Sequence, residues 1–386
     1  MEQIYLDNNA TTKMLPEVAE AIYEAHRAGH VNPASQHQSG QRTRRVLEDA
    51  RERITKLLGG ETTGMKPDRL VLTSGGTESN NLAIRGLTAD AREANIVLSP
   101  IEHPSILETA EKLAQAGLEI RRLPVNHAGV IQADRLADLI DERTRLVSVM
   151  LGNHETGVIQ PVEQISRFAR EQRVLVHCDA VQAAGKIPVN FRTLGVDALS
   201  VSAHKLHGPV GIAGLLLRHD VTPAPMLSGG FQQQGVRPGT ESVPLALGFL
   251  KALELWAEQS LQLEGQMRTL RDTLEARLRS EIPSLVVNGE AANRLPHTAN
   301  ISFPGLNRQA IVMALDMAGI ACSTGSACAS GSSEPSPVLI AMGLPEPVIE
   351  GSIRISLSRF TTATDIELAT QRILRVYNAL RRDQEA

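Results

Sequence analysis

Short apolar runs alternate with amphipathic stretches through the first half of the chain, and polar residues follow almost every run. The runs are 70–73, 96–98, 146–150, 174–176 and 198–201, and they read as strands. The clearest amphipathic stretch is 41–58. There Val46, Leu47, Ala50, Ile54, Leu57 and Leu58 share one face, and Gly59 supplies a stop. Such alternation predicts an α/β fold with a mostly parallel sheet covered on both faces. Ligands of these sheets lie beyond the carboxyl ends of the strands, so the polar residues just after each run are where chemistry is expected.

From about residue 241 the pattern changes. A long helical stretch runs through Leu250, Trp256 and Leu270 to Leu278, with no strong breaker before Pro283. A strand (300–303), a helix (308–318), a small-residue loop (322–336), a strand (352–357) and a final helix (364–379) follow. This predicts a smaller α+β unit joined through a linking helix. With 42% hydrophobic residues in 386, the chain has material for a sizeable core, which excludes disorder as its main state. A net charge of −4 gives no footprint for nucleic acid. No run approaches the roughly 18 apolar residues of a membrane span. The opening residues show no signal-peptide pattern. An odd count of 3 cysteines argues against a disulfide framework, and a reducing cytoplasm is the expected location.

Several segments could carry chemistry. Ser74-Gly75-Gly76-Thr77-Glu78-Ser79 follows a strand and opens a helix, over 80–85, whose free N–H groups suit a phosphate; the alternative is a tight turn that binds nothing. Asp179, directly after the run 174–176, could hold a pyridine nitrogen protonated or could simply cap a helix, and on this segment alone the cap is favoured. Lys205 lies in Ser202-Ala203-His204-Lys205-Leu206-His207-Gly208-Pro209, at the mouth of the sheet. It suits a Schiff base with an aldehyde cofactor, against the alternative of a solvated surface charge. His204 and His207 have an i, i+3 spacing, but the Gly-Pro turn and the lack of a nearby carboxylate disfavour a metal site. Cys328 stands among serines and glycines, a setting that predicts an exposed, mobile thiol able to carry sulfur. Cys322 reads as a packed strand edge and Cys178 as a space-filler. Arg354 interrupts an apolar strand, either as a two-pronged carboxylate clamp or as an outward-facing charge.

A set of segments in fixed order covers nearly the whole chain. It includes Tyr5-Leu6-Asp7-Asn8-Asn9-Ala10-Thr11-Thr12, Asn32-Pro33-Ala34-Ser35, 74–80, Glu102-His103 and Glu155-Thr156-Gly157-Val158. It continues through 179–182, 202–205, Arg237-Pro238-Gly239-Thr240, 325–336 and 352–362. In these the chain resembles the NifS/IscS-type cysteine desulfurases, in the aminotransferase class V group of fold-type I pyridoxal phosphate enzymes. The resemblance implies a large domain (15–254) around a seven-stranded-type, mostly parallel sheet. It also implies a small α+β domain (1–14 and 255–386) that carries the catalytic-cysteine loop. It implies pyridoxal 5'-phosphate as cofactor, L-cysteine as substrate, and a persulfide on Cys328 that passes to an acceptor in iron-sulfur assembly or tRNA thiolation.

The resemblance assigns roles residue by residue. Lys205 forms the internal aldimine and moves protons at the substrate Cα. Asp179 pairs with the pyridinium nitrogen, Gln182 with the ring hydroxyl, and His103 stacks on the ring as an acid/base. Gly76, Thr77, Ser202 and His204 hold the phosphate, and Thr240 reaches the phosphate of the neighbouring subunit in a homodimer. Arg354 binds the cysteine carboxylate, with Asn153 also at the substrate. His154 stands where relatives often carry a second asparagine and would serve the cofactor as a donor, with an added pH dependence. Val210 replaces a frequent lysine, and the short tail after the last helix lacks a segment that some relatives use to dock an iron-sulfur scaffold. A selenocysteine lyase or another class V aminotransferase is the alternative within the fold, and a non-catalytic scaffold is the alternative outside enzymology. The thiol at 328 argues against the first and Lys205, Asp179 and His103 against the second.

Overall fold

The computed structural model describes residues 3–89, 93–325 and 334–385. Strands in chain order are β1 (Ile4–Tyr5), β2 (Arg69–Thr73), β3 (Asn95–Leu98), β4 (Glu119–Arg122), β5 (Thr144–Met150) and β6 (Leu175–Asp179). They continue with β7 (Ala198–Ser202), β8 (Ala213–Leu217), β9 (Val286–Val287), β10 (Thr298–Ser302), β11 (Ile320–Ala321) and β12 (Ser352–Ser356). The helices are α1 (Pro16–Arg27), α2 (Gln38–Leu57), α3 (Gly76–Leu87), α4 (Pro104–Gln115), α5 (Val162–Glu171) and α6 (Phe191–Leu194). After them come α7 (Val243–Glu281), α8 (Arg308–Met317), α9 (Pro337–Ala341), α10 (Glu346–Glu350) and α11 (Ala363–Glu385).

Seven strands form one sheet in the order β2-β8-β7-β6-β5-β3-β4, and only β8 runs against its neighbours. This is the mostly parallel sheet that the sequence pattern predicts. Its inner strands are buried on both faces, which is why they read as unbroken apolar runs rather than as alternation. Two strands of this sheet escape the sequence reading. β4 (Glu-Ile-Arg-Arg) is an edge strand with exposed charges, a composition that protects an open edge and hides the strand. β8 needs Gly214, because a Cβ there would lie 2.7 Å from Leu70 Cδ1 on β2.

α3 begins at Gly76 rather than at 80, so Thr77 and Glu78 belong to its first turn. α7 is capped by Ser242 and runs for 39 residues. Its first half, through Leu250 and Leu253, packs into the apolar cluster under the large sheet. Its second half, at Leu270, Leu274 and Leu278, packs into a separate cluster with Leu6, Ile301, Ile353 and Ile373. The antiparallel sheet β12-β10-β9 and the parallel pair β1-β11 enclose this second cluster. The segment after β1 leaves it and crosses to the large sheet: Asn9 N–H donates to Ser356 Oγ at 2.8 Å, and Thr12 N–H to the His204 carbonyl at 3.0 Å.

Candidate active site

The carboxyl ends of β2, β3, β5, β6 and β7 converge on a cavity of about 200 Å³. Gly76, Thr77 and Asn80 face it from α3, and His103 and Ser105 from the start of α4. His154 faces it after β5, Asp179 and Gln182 after β6, and Ser202, His204 and Lys205 after β7. A larger cavity of about 630 Å³ lies elsewhere, beside Arg51, Arg69 and Phe231. It contains none of these groups, so the chemistry belongs to the smaller one.

Each side chain has a local reason for its place. Asp179 is followed by a turn, so the helix-cap reading is corrected. Its Oδ1 accepts from Val181 N–H at 2.9 Å and its Oδ2 from Asn80 Nδ2 at 2.8 Å. Asn80 also donates to Ser105 Oγ at 2.9 Å, which ties α3 and α4 to the end of β6. Lys205 is half-buried rather than a surface charge. Its Nζ donates to the Asn9 carbonyl and, at 2.8 Å, to the Ala10 carbonyl. Gln182 Nε2 donates to the same Asn9 carbonyl at 3.0 Å.

His103 caps α4: its Nδ1 accepts from Ser105 N–H at 3.1 Å, which puts the proton of the neutral ring on Nε2. The His154 ring meets it edge-on, with centroids 5.4 Å apart. Burial lowers the pKa of both rings; Lys205 and Arg354 add to this in each, His103 lowers His154 further, and Asp179 opposes the shift at His103. His204 is lowered to about 4, by burial first and by Lys205 second, and bonds Thr11 Oγ1 through Nδ1 at 3.1 Å. Three imidazoles around the Lys205 amine therefore stay neutral near neutral pH.

The donors suit a phosphorylated, ring-bearing cofactor. Ser202 Oγ is fully buried and has no partner among the described residues. It stands beside the first turn of α3, where Gly75 offers no side-chain cap and the N–H groups of a helix start favour an anion. His154 Nδ1 and Asn80 Oδ1 are likewise buried and unpartnered among the described residues. Buried polar atoms cost free energy unless something bonds them, so a polar ligand fits.

Arg354 is 2% exposed, which excludes an outward-facing charge. Its Nη1 donates to the carbonyls of His154 at 3.0 Å and Gly325 at 2.7 Å, and its Nη2 to Asp7 Oδ1 at 2.9 Å. Its Nε has no partner among the described residues.

Other expectations come out differently. Asn153 does not line the cavity. Its Oδ1 accepts from Glu155 N–H, Thr156 N–H and Thr156 Oγ1, and its Nδ2 donates to the Ile101 carbonyl, so the side chain shapes a turn behind the cavity. Thr240 lines a separate cavity with Ser74 and Arg237 and does not reach the Lys205 cavity of its own chain. His207 donates to the Lys13 carbonyl and does not join His204, and no metal-type cluster occurs among the described residues. Cys178 is a buried space-filler whose thiol is raised well above its ordinary pKa by burial. Cys322 stands just after β11 and burial pushes it up to about 12. Cys328 lies outside the described residues.

Some site residues were not singled out in the sequence. Asn9, Ala10 and Ser105 belong here; behind the cavity lies Glu102, a buried acid whose Oε1 accepts from Met150 N–H and whose pKa burial raises well above its ordinary value. All but Ser105 fall inside the quoted segments, so the signal was position next to an already suspected residue.

The family model for aminotransferase class V matches residues 4–368. The chain belongs to the aminotransferase class V family. Within it the chain is of the NifS/IscS cysteine desulfurase type. It is 42% identical over 385 residues to a cysteine desulfurase of Trichormus azollae, covering 99% of this chain and 94% of that one. It is 38% identical over 386 residues to the cysteine desulfurase NifS of Azotobacter vinelandii, covering 99% and 94%. Among solved structures, a NifS-like protein superposes with a TM-score of 0.90 at 34% identity, over 98% of this chain and 100% of that one.

Proposed function

We propose that this cysteine desulfurase holds pyridoxal 5'-phosphate in the Lys205 cavity and moves sulfur from L-cysteine to Cys328. The observation that carries the reading is the meeting of Lys205, Asp179 and Gln182 with the unpartnered Ser202 Oγ in one cavity. Ser202, His204 and the first turn of α3, at Gly76 and Thr77, would hold the phosphate. Asp179 would pair with the ring nitrogen, Gln182 and His154 would bond the ring hydroxyl, and His103 would cover the ring face. Lys205 would bind the aldehyde carbon. When bound, the cofactor supplies an electron sink for the pair at the substrate Cα.

The chain's own residues do the rest. Lys205 Nζ would move the proton at Cα, and neutral His103 would accept or return one. Arg354 would orient the substrate carboxylate. Cys328, as thiolate, would form an S–S bond to the substrate sulfur as the C–S bond breaks; the C–S pair stays on carbon and takes up a proton, so alanine leaves and a persulfide remains on Cys328. We also place Thr240 at the phosphate of the partner subunit in a homodimer, and take an iron-sulfur scaffold or a tRNA-thiolation carrier as the acceptor. Residues 15–254 would form the cofactor-holding domain and 1–14 with 255–386 the second; the second apolar cluster lies wholly within the latter, while Leu295, Val338, Leu339, Met342 and Ile349 pack onto the first. No helix of the described residues is long and apolar enough to cross a membrane, and a working thiol fits a reducing, cytoplasmic setting.

The test is mass spectrometry of the Cys328 peptide after incubation with L-cysteine, where one added sulfur is expected. Cys328→Ala should keep visible absorbance that borohydride fixes on Lys205, and should lose sulfide release. Sulfide release at the wild-type rate in that variant would overturn the persulfide route.

A further inference from the structure

A second lysine stands behind the first. Lys186 is 2% exposed, and its Nζ donates to the main-chain carbonyl of Lys205 at 2.5 Å. No ion pair to a carboxylate holds it among the described residues, so this buried amine is kept by a peptide oxygen. Because a buried ammonium without a carboxylate is costly, burial first and Lys205 second lower the Lys186 pKa to about 7, and a side chain that carries such a cost commonly has a task.

The backbone shows what the amine joins. Asp179 ends β6, and the chain then turns through Gln182 and Gly185 to Lys186. This turn is pressed onto the Lys205 turn. At Gly185, φ is +76° and a Cβ would lie 2.3 Å from Leu206 Cβ, so only glycine allows the approach. From the opposite side the segment 9–13 grips the same turn, through Lys205 Nζ to Ala10, Thr12 Oγ1 to the His204 carbonyl at 2.8 Å, and His207 to Lys13. The Lys205 peptide is thus clamped between two segments, and Lys186 supplies a side-chain bond from the β6 side that reaches its carbonyl. The titratable groups that feel the Lys186 charge are Lys205, His204, His207 and His297.

We propose that Lys186 is a positioning residue for Lys205: by holding the Lys205 carbonyl it sets the distance between the amine after β7 and the carboxylate after β6, and its charge disfavours a second positive charge on the Lys205 nitrogen. A misplacement of the reacting amine by a fraction of an ångström lowers the chemical step without touching the groups that bind substrate. The inference rests on the reading of Lys205 as the cofactor lysine.

The experiment compares the wild-type holoenzyme with K186M, K186Q and K186R, with two readouts: steady-state kinetics on L-cysteine, and the pH midpoint of the visible absorbance of the bound cofactor. K186M loses both bond and charge. Its kcat should fall about ten- to a hundredfold, as for a lost hydrogen bond to a buried carbonyl, with KM changed less than about twofold. Its absorbance midpoint should rise by about half a pH unit, because removing a neighbouring positive charge favours the protonated form. K186R, which keeps donor and charge, should recover much of the kcat and return the midpoint towards wild type. K186Q, which keeps a donor alone, should recover kcat more than it recovers the midpoint, and it serves where K186M does not fold. Wild-type kcat and midpoint in K186M, or in K186Q where K186M is unstable, would overturn the proposal. A wild-type holoenzyme without a chromophore that borohydride fixes on Lys205 would instead sink the underlying reading, so the two failures are distinguishable.

Discussion

The two walls of the cavity are built on different plans. One wall consists of strand ends of the large sheet. Asp179, Ser202 and Lys205 leave adjacent strands within a few residues of their last ladder bond, and buried strands hold those positions rigidly. The other wall stands beside the cavity, on β12 of the second apolar cluster. Arg354 on β12 does not itself line the cavity; it meets the site through the carbonyl of His154, which does, and is held by Asp7 and Gly325 from two further segments. The first wall is set by the sheet itself, while the second depends on how two packed units meet. The contrast suggests that the first wall fixes the cofactor and that the second answers to the substrate.

Perturbing the rigid wall should give the largest effect. Lys205→Ala is expected to lower sulfide release by at least about a thousandfold and to abolish the visible band that borohydride fixes. Retention of that band would break the contrast outright. On the second wall, Arg354→Leu should raise KM for L-cysteine on the order of a hundredfold, as for two lost bonds to a charged group, while the cofactor band persists. It should also lower the Tm, because Asp7 and two buried carbonyls lose their donor. A loss of the cofactor band in this variant would show that the two walls are not separate in function.

Asp179→Asn stays on the first wall but removes only charge. A fall in kcat of roughly ten- to a hundredfold, with little change in KM, is expected. The pH dependence tests the neutral imidazoles. Burial lowers His103, so its basic form survives to a pH below the ordinary histidine value of about 6.5. The acid limb of kcat/KM should therefore lie below that value, with activity lost as pH falls through it, and His103→Gln should remove the limb from the profile. The smallest effect is expected at Cys322. Its thiol is raised to about 12 by burial and is protonated at working pH, so Cys322→Ser should change sulfide release by less than about twofold.

The strands whose ends build the first wall were largely legible, because a buried parallel strand is an apolar run and the residue after it is a marked position. Asp179 and Lys205 stood out for that reason. The edge strand β4 was not legible, since its exposed charges erase the pattern. The turn that Asn153 organises was not legible either, because an amide that folds its own loop has the same composition as one that binds a ligand. The cap reading of Asp179 failed for a related reason: the local sequence does not tell whether a helix or a turn follows, and Asn80, 99 positions away, competes for the carboxylate.

By itself the sequence determined the α/β class, the run of strands that sets the site at one edge of the sheet, and the residue types that meet there. These follow from short-range periodicity, which local stretches carry. Only the tertiary structure decided that Asp7 holds Arg354 from 347 positions away, that Asn9 and Ala10 receive the Lys205 amine, and that Lys186 backs the Lys205 peptide. Such pairings are selected when the packed core fixes distances between segments, because a buried charge or carbonyl must then take the partner within reach.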